Sequence, residues 1–307
     1  MSQKMAVETF GLTKRFKTAL AVDSINLQVP AGAICGFLGK NGAGKTTTIK
    51  MLTGLKRPTS GEFAIMGKKE QFGKGIGTVG YLPDVPGFYG YMTGFEFLML
   101  CAKLAKVPDN QQKSHVEGLL KQVGLFGVKT KTSGYSRGMR QRLGIAQALI
   151  NNPSVVFLDE PISALDPMGR RDVMEIIGEL KGTTVVFSTH ILSDVENICD
   201  YIIIIEKGKI MEQDTLEGLK ARYLISDTQI EFYNDKDCAD FITRVQQKAD
   251  MDIAKLDPMR ISVKSQKMDD VEISKLVSTT IADLAIPFKS FGVQAPTLDD
   301  IFYEVTK

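Results

Sequence analysis

The stretch GKNGAGKTT, residues 39–47, decides the fold of this chain. It follows the apolar run AICGFL, residues 33–38, and opens a predicted helix over Lys45–Thr53. Glycines at this spacing let backbone N–H groups wrap a phosphate, and the start of a helix adds a positive dipole. We therefore expect Lys45 to reach the β- and γ-phosphates of a nucleotide and Thr46 to ligate Mg²⁺. The expected nucleotide-binding residues of this loop are Gly39, Lys40, Asn41, Gly42, Ala43, Gly44, Lys45, Thr46 and Thr47.

A second motif is the apolar run VVFLDEP, residues 155–161, which ends in the adjacent carboxylates Asp159 and Glu160. In a parallel sheet, ligands bind at the carboxyl ends of the strands. Asp159 is therefore expected to hold Mg²⁺, and Glu160 to act as the general base that deprotonates the attacking water. Alone, such a run is more often a strand end with a solvated acid. Together with the phosphate loop it predicts a P-loop NTPase.

Short apolar runs alternate with amphipathic stretches over the first two-thirds of the chain. This pattern predicts an α/β fold, a P-loop NTPase core with a mostly parallel sheet. The predicted strands are Ala33–Leu38, Glu62–Met66, Thr78–Leu82, Ser154–Leu158, Thr183–Ser188 and Tyr201–Ile205. The predicted helices are Lys45–Thr53, Gly94–Lys106, Gln111–Gln122, Arg137–Asn151, Gly169–Leu180 and Leu192–Ile198.

Two further regions complete the predicted organisation. Residues 84–135 carry no convincing core strand and are interpreted as a helical insert, in which Phe95–Val107 is apolar almost all round and is expected to be buried, partly by another chain. The core domain is expected to cover residues 1–222, and a small C-terminal α+β domain residues 223–307. In that domain we predict strands at Thr228–Tyr233, Arg260–Val263 and Phe288–Phe291, and helices at Asp235–Lys248, Met268–Leu284 and Thr297–Val305, the last capped by Thr297.

Composition limits the classes of function. The chain has 307 residues with 38 Lys and Arg against 36 Asp and Glu, a net charge of +2 that gives no reason to expect a nucleic-acid partner. The longest aliphatic run, Ile202–Ile205, is far too short to span a bilayer, and the N-terminal sequence lacks the apolar core of a secretory signal. Four dispersed cysteines indicate neither a zinc site nor a disulfide framework. We therefore expect a cytosolic protein.

The stretch YSRGM, residues 135–139, narrows the class. Here the chain resembles the ATP-binding subunits of ABC transporters, and in particular those that pair with ABC-2-type membrane subunits. The resemblance covers about residues 5–220 and includes the phosphate loop, a loop at Tyr81–Asp84, YSRGM, the Asp159–Glu160 strand, Ser163–Asp166 and Ser188–His190, all in family order. It implies an ATPase that uses ATP and Mg²⁺.

The resemblance also implies roles for single residues. Phe16, which we expect ahead of the first strands, would stack on adenine, unless it is a core residue. His190 would sense the γ-phosphate, and Asp166 would communicate across a head-to-tail dimer. In that dimer the signature-like residues would contact the ATP of the partner subunit, and they are Ser136, Arg137, Gly138 and Met139.

The chain departs from the family pattern in three places. Tyr135, Arg137 and Met139 replace residues of the common signature LSGGQ, and Met139 cannot form the hydrogen bond of the Gln. Asp84 stands where Gln is usual. We expect it to serve as a sensor linked to Mg²⁺ and the attacking water, the alternative being an ordinary loop acid between prolines. Lys40 stands where Pro is common, and it either adds charge near the phosphates or faces solvent.

The function implied is that of an ATP-hydrolysing subunit. A homodimer or heterodimer would close on ATP and drive two ABC-2-type permease subunits, docked near residues 84–107, at the cytoplasmic face of the membrane. The resemblance favours export, while the cargo is not encoded in this chain. A ribosome-acting ABC protein and a purely regulatory nucleotide-binding module are the alternatives. The segment APTLDDIF, residues 295–302, resembles the end of an extra domain in this subgroup, which serves either dimer support or regulation.

Overall fold

The computed structural model describes residues 4–17, 19–72, 79–180, 182–223, 227–248, 251–265, 268, 270–294 and 297–307. Two compact units are present, one of Met1–Leu216 with Val305–Lys307 and the other of Glu217–Glu304. The division falls at the start of a helix that covers Leu216–Arg222, before the boundary expected from the sequence. Ala295 and Pro296, from the segment compared with an extra domain, and Thr78, the first residue of a predicted strand, lie outside the described residues.

The first unit contains two sheets. Its strands are β1 (Met5–Phe16), β2 (Ala19–Ile25), β3 (Gln28–Pro30), β4 (Ile34–Leu38), β5 (Ser60–Ile65), β6 (Lys68–Glu70), β7 (Val79–Leu82), β8 (Val155–Asp159), β9 (Thr184–Thr189), β10 (Tyr201–Glu206) and β11 (Lys209–Thr215). One sheet has the order β11-β10-β4-β9-β8-β7, with β11 antiparallel at one edge and the other neighbours parallel. The predicted mostly parallel sheet is confirmed.

The parallel sheet is apolar on both faces, as a sheet covered by helices must be. Phe37, Phe157 and Phe187, on three neighbouring strands, are fully buried. In the register of these strands Leu38 pairs with Thr189, and Asp159 with Ser188. The ends of β4, β9 and β8 therefore meet at one edge of the sheet, and this edge carries the phosphate loop, Asp159–Glu160 and His190.

The second sheet was missed by the sequence analysis. It is antiparallel, with the order β2-β1-β5-β6 and β3 also paired to β1. The placement of Glu62–Met66 in the mostly parallel sheet was wrong, because Met66 and Gly67 both have positive φ (53° and 77°) and form a tight hairpin turn. The alternation of β1 is hard to recognise because its pairing is irregular between Leu12 and Lys14.

Apart from the helix Leu216–Arg222, which was not predicted, the helices begin and end close to the predicted positions. They are α1 (Lys45–Leu52), α2 (Gly94–Leu104), α3 (Asp109–Gln122), α4 (Arg137–Ala148), α5 (Pro167–Gly178), α6 (Leu192–Val195) and α7 (Leu216–Arg222). Residues 84–135, all of them described, contain no strand, and α2 and α3 pack against each other and against α4. Only part of α2 is buried within this chain, so the expected burial of its remaining apolar residues by another chain stays a prediction. Phe97, Leu98 and Ala102 are buried, whereas Leu104 is 74% exposed.

The second unit has its own core. Its elements are β12 (Asp227–Phe232), α8 (Asp235–Lys248), β13 (Asp252–Lys255), β14 (Arg260–Lys264), α9 (Asp270–Leu284), β15 (Phe288–Gln294) and α10 (Leu298–Val305), whose last residue belongs to the first unit. The antiparallel sheet has the order β13-β14-β12-β15, a split β-α-β arrangement with α8 and α9 packed on β12. Ile230, Phe241 and Val277 are fully buried in this core. The edge strand β13 was missed, since only Ile253 in it is half-buried.

No helix among the described residues combines the length and the apolar character needed to cross a bilayer.

Candidate nucleotide site

The phosphate loop joins β4 to α1 and packs closely against the backbone of neighbouring strands. Gly42 and Gly44 have φ of 84° and 113°, which favours glycine. A Cβ atom on Gly39 would lie 2.5 Å from the carbonyl oxygen of Ile205, and one on Gly44 would lie 2.6 Å from that of Ala21. Gly44 caps α1 without a side chain, so the first N–H groups of the helix are offered to an anion.

The turn between β10 and β11 is hydrogen-bonded to the phosphate loop. The N–H of Gly208 donates to the carbonyl oxygen of Ala43 (2.9 Å), and the N–H of Asp23 donates to that of Gly208 (2.8 Å). Lys207 and Gly208 both have positive φ (47° and 81°), so the hairpin turn is tight. The phosphate loop is therefore tied to both sheets of the first unit.

Lys45 is buried and its ammonium is directed back over the loop. Its Nζ donates to the carbonyl oxygens of Gly39 (2.6 Å) and Lys40 (3.3 Å), and it lies 3.2 Å from Glu160 Oε1. A buried ammonium needs such partners because desolvation of an unpaired charge is costly. Phosphate oxygens entering the loop would supply equivalent acceptors at the same position.

Asp159 is buried at the end of β8, where one carboxylate oxygen accepts two hydroxyl hydrogen bonds. Thr46 Oγ1 donates to Oδ1 over 2.9 Å, and Ser188 Oγ donates to the same atom over 2.8 Å. Burial raises the pKa of Asp159 above its ordinary value, while the bonds from Ser188 and Thr46 act in the opposite direction. The Thr46 hydroxyl and the Asp159 carboxylate are hard oxygen donors of the kind Mg²⁺ takes.

These two residues fit Mg²⁺ as part of a shared ligand set. Among the described residues there is no group of three or more His, Cys, Asp or Glu that could form a metal site by itself. Mg²⁺ in nucleotide enzymes is commonly held by one or two protein oxygens, substrate phosphates and water. The pair Thr46 and Asp159 matches that pattern.

Glu160 lies between Lys45 and His190. Its Oε1 is 3.2 Å from Lys45 Nζ, and its Oε2 is 3.0 Å from His190 Nδ1. The backbone of Glu160 has φ of 48°, in the left-handed region that a non-glycine residue seldom adopts. Its N–H donates to Ser188 Oγ (2.9 Å). The structure thus brings together Lys45, Asp159, Glu160 and His190, as the sequence predicted.

Asp84 lies between β7 and α2 and contacts the start of α4. Its Oδ1 is 3.9 Å from Arg137 Nη2, and its carbonyl oxygen accepts a hydrogen bond from Gln141 Nε2 (2.9 Å). Burial, followed by the charges of Asp159 and Asp84, raises the pKa of Tyr81 to about 12. Tyr81 is therefore within electrostatic range of both carboxylates. The two departures Asp84 and Arg137 form an ion pair with each other.

The YSRGM residues surround the N-terminus of α4. Ser136 caps the helix by accepting a hydrogen bond from the N–H of Met139 (3.2 Å). The hydroxyl oxygen of Tyr135, which is buried, accepts one from the N–H of Gly94 at the start of α2 (3.2 Å). Gly138 faces open space on its Cβ side. The helix thus presents a capped but uncovered N-terminus, while Tyr135 ties it to the helical insert.

Comparisons with known proteins agree with this geometry. Residues 22–163 match the family model of ABC transporters. Over 211 residues the chain is 42% identical to the uncharacterised ABC transporter ATP-binding protein YxlF of Bacillus subtilis, and the match covers 68% of this chain and 70% of that protein. The chain belongs to the ABC transporter ATP-binding family. It is also 41% identical over 228 residues to the bacitracin transport ATP-binding protein BcrA of Enterococcus faecalis, covering 72% and 73% of the two chains.

Solved ABC transporter subunits share the fold. One, the ATP-binding subunit of an ABC transporter, is 28% identical with a TM-score of 0.64, and the match covers 71% of this chain and 93% of that one. CbiO1 of Clostridium perfringens, part of the transporter complex cbiONQ, is 26% identical with a TM-score of 0.65, covering 71% and 92%. As an ABC transporter ATP-binding subunit, the chain binds and hydrolyses ATP. Subunits of this family dimerise, work with membrane permease components and associate with the membrane.

Phe16 is the residue that the resemblance to ABC subunits pairs with adenine. Its expected position ahead of the first strands was wrong, because it ends the twelve-residue strand β1. The core alternative was also wrong, since the side chain is 38% exposed. The Nζ atoms of Lys56 and Lys14 lie 4.6 Å and 5.3 Å from the ring centroid. The ring is therefore partly exposed, and both cations lie within cation–π distance of it.

Three other residues have defined surroundings. Asp166 caps α5, where its Oδ1 accepts a hydrogen bond from the N–H of Gly169 (2.9 Å). Lys40 is exposed, as one of its two interpretations required. His115, on α3, is half-buried, and its Nε2 lies 2.9 Å from the carbonyl oxygen of Ile150. This contact forms because α3 packs on the helix α4 that precedes Ile150.

Two residues of the site, Gln141 and Ser188, were not predicted from the sequence. Gln141 lies one turn into α4, is 1% exposed and holds the backbone of Asp84. Ser188 was noted only as part of the STH motif, yet it contacts both Asp159 and Glu160. The available signal for Ser188 was a hydroxyl residue directly after the apolar run VVF in the strand TVVFST. Gln141 had no comparable signal, because a helix that begins with several polar residues is usually solvated.

Proposed function

We propose that this ATPase subunit drives export through ABC-2-type membrane subunits, docked near the helical insert at the cytoplasmic face of the membrane. The observation that carries the catalytic part is the position of Glu160 between Lys45 and His190, beside the buried Asp159 and its half-buried partner Thr46. Export is supported by the similarity to BcrA, a bacitracin transport ATP-binding protein. Docking at the insert is supported by the half-exposed apolar surface of α2.

In this proposal each residue of the site has one role. The N–H groups of residues 39–47 and the Lys45 ammonium bind the phosphates, and Phe16 stacks on adenine. Thr46 and Asp159 would hold Mg²⁺, which supplies charge neutralisation at the phosphates when bound. Asp84, whose carboxylate lies 3.9 Å from Arg137 in this structure, is proposed to join them as the metal-linked sensor. Glu160 takes the proton from the attacking water.

The remaining roles belong to the dimer. His190, hydrogen-bonded to Glu160, senses the γ-phosphate and orients the base. In a homodimer or heterodimer of such chains, the start of α4 presents Ser136, Arg137, Gly138 and Met139 to the ATP of the partner subunit, and Asp166 relays between the two sites. An uncovered helix N-terminus suits that contact with phosphate. The C-terminal unit is proposed to be an accessory domain that supports the dimer or docks a regulator.

The substitution Glu160→Gln tests the assignment of the base. We expect it to lower the turnover number for ATP at least about 100-fold, since a positioned general base contributes on that order. Affinity for ATP should persist, because Lys45 and the loop are unchanged. The measurements are phosphate release and, by sedimentation with ATP, the fraction of dimer, which should rise because ATP is no longer consumed.

Glu175→Gln, an exposed position on α5, is the matched control and should leave both quantities unchanged. Undiminished phosphate release in Glu160→Gln would remove Glu160 from the mechanism. The export proposal is tested separately, by co-purifying the membrane partner and measuring ATP-dependent uptake into inside-out vesicles. Bacitracin is the first cargo to try.

A further inference from the structure

Ser188 lies beside the two carboxylates of the site. It is fully buried in β9, directly opposite Asp159 in the parallel register of β8 and β9. Its Oγ lies 2.8 Å from Asp159 Oδ1 and 2.9 Å from the backbone nitrogen of Glu160. A single hydroxyl therefore contacts both residues at the end of β8.

The direction of the two hydrogen bonds is fixed by chemistry. The backbone N–H of Glu160 can only donate, so Ser188 Oγ must accept there. The one hydroxyl proton of Ser188 is then left for Asp159 Oδ1. The chain of bonds runs from Glu160 N–H through Ser188 to the Asp159 carboxylate, and an apolar residue at position 188 could make neither bond.

Glu160 needs such a restraint because its backbone is strained. With φ of 48° it turns out of the strand direction, and this turn accompanies the placement of its side chain between Lys45 and His190. Strained backbone conformations persist where the surrounding structure holds them. The bond to Ser188 holds the peptide nitrogen of Glu160 in place.

We infer that Ser188 is a positioning residue that fixes Asp159 and Glu160 relative to each other, so that the metal-facing and water-facing carboxylates are aligned together. This inference rests on the roles proposed above for Asp159 and Glu160. Ser188 touches neither substrate nor metal in this account. It acts through its two neighbours, so its loss should affect turnover far more than binding of the nucleotide.

The test uses Ser188→Ala in the full chain. We expect the turnover number for ATP to fall about 10- to 100-fold, part of what a positioned base contributes, with KM changed less than about threefold. Binding of a fluorescent ATP analogue in EDTA should match the unmodified chain. The Mg²⁺ concentration for half-maximal enhancement of that binding should rise severalfold, because Asp159 has lost one of its two restraints.

Thr184→Val is the matched control. Thr184 is a buried hydroxyl at the other end of β9, where its Oγ1 accepts a hydrogen bond from the N–H of Gly32 (2.9 Å). It should leave turnover and Mg²⁺ dependence unchanged. If Ser188→Ala does not fold, judged by circular dichroism, Ser188→Cys keeps the shape with a weak hydrogen-bonding group and should show the same split between turnover number and KM.

Two results would overturn the inference: a folded Ser188 variant with normal turnover and Mg²⁺ dependence, or an equal loss in Thr184→Val. Glu160→Gln separates this failure from that of the proposed function. If Glu160→Gln is inactive while Ser188→Ala is normal, only the inference on Ser188 is lost. If Glu160→Gln retains full turnover, Glu160 is not the base, and the proposed function fails together with the inference on Ser188 that rests on it.

Discussion

At the scale of single residues, the charged groups of the site are paired with other groups of the same chain. Lys45 has three oxygen partners and Asp159 has two hydroxyl donors. Phe16 differs from them, since its ring is partly exposed and the ammonium groups of Lys14 and Lys56 lie over it. It is therefore the residue whose proposed contact with ATP is easiest to remove without disturbing the site.

Phe16→Ala is expected to weaken binding of ATP about tenfold, because stacking of a base on an aromatic ring contributes roughly 1–3 kcal/mol. Phe16→Tyr should bind like the unmodified chain, since the ring is kept. The measurement is titration with a fluorescent ATP analogue. Phe10→Ala, which removes another exposed ring from the same strand, is the control and should have no effect. Equal affinity for ATP in Phe16→Ala and the unmodified chain would show that Phe16 does not stack on adenine.

Residue identities explain which parts of the site were predictable. The glycines, Lys45 and the Asp159–Glu160 pair follow from local spacing, because phosphate binding needs backbone and charge at fixed positions along the chain. Ser188 and Gln141 act through partners 28 and 57 residues away. Their contacts depend on strand register and helix packing, which no local pattern encodes.

At the scale of elements, α4 is fitted closely to the strand and loop that lead to Asp84. A Cβ atom on Gly144 would lie 2.4 Å from Leu82 Cδ1 and 3.3 Å from Pro86 Cβ. The side chain of Gln141 holds the same loop from the preceding turn. The start of α4 and the Asp84 loop are therefore expected to move together.

Gly144→Ala should lower the free energy of unfolding by about 1–3 kcal/mol, as extra volume in a packed core does. Gly118→Ala, in the middle of α3 with no neighbour within 4 Å of its Cβ position, should raise it by about 0.5–1 kcal/mol. Urea unfolding followed by circular dichroism measures both. If Gly144→Ala left the free energy of unfolding unchanged, α4 and Leu82 could move apart without loss of stability.

The strands that were missed in the antiparallel sheet of the first unit share a cause. β1 to β3 and β6 belong, with the predicted strand β5, to a sheet that carries many half-buried polar residues and irregular pairings, so neither strict alternation nor a continuous apolar run marks them. The parallel strands β4, β8, β9 and β10 were found because burial on both faces leaves unbroken apolar runs.

At the scale of the whole molecule, the chain consists of two units with separate cores. The second unit forms its own four-stranded sheet, on which α8 and α9 pack. Phe232, Phe241 and Ile261 are among its fully buried residues. All the residues proposed for ATP binding and hydrolysis lie between Phe16 and His190, in the first unit. Independent cores of this kind commonly fold alone.

A fragment of residues 216–304 is therefore expected to fold without the ATPase unit, because it contains the whole of its core. It should unfold in one cooperative urea transition, with a dispersed amide NMR spectrum. A fragment of residues 1–216 should still bind a fluorescent ATP analogue. A collapsed spectrum for 216–304 would show that its core depends on the rest of the chain.

The turn at Lys207 and Gly208 has a consequence for the thermodynamics of nucleotide binding. Gly208 is hydrogen-bonded to Ala43, and Gly39 and Gly44 pack against the backbone of Ile205 and Ala21. These contacts fix the conformation of the phosphate loop independently of ATP. Little configurational entropy is then lost in ordering it, so more of the contact energy with the phosphates appears as affinity. The hairpin turn, which touches no phosphate, contributes to affinity by preorganisation.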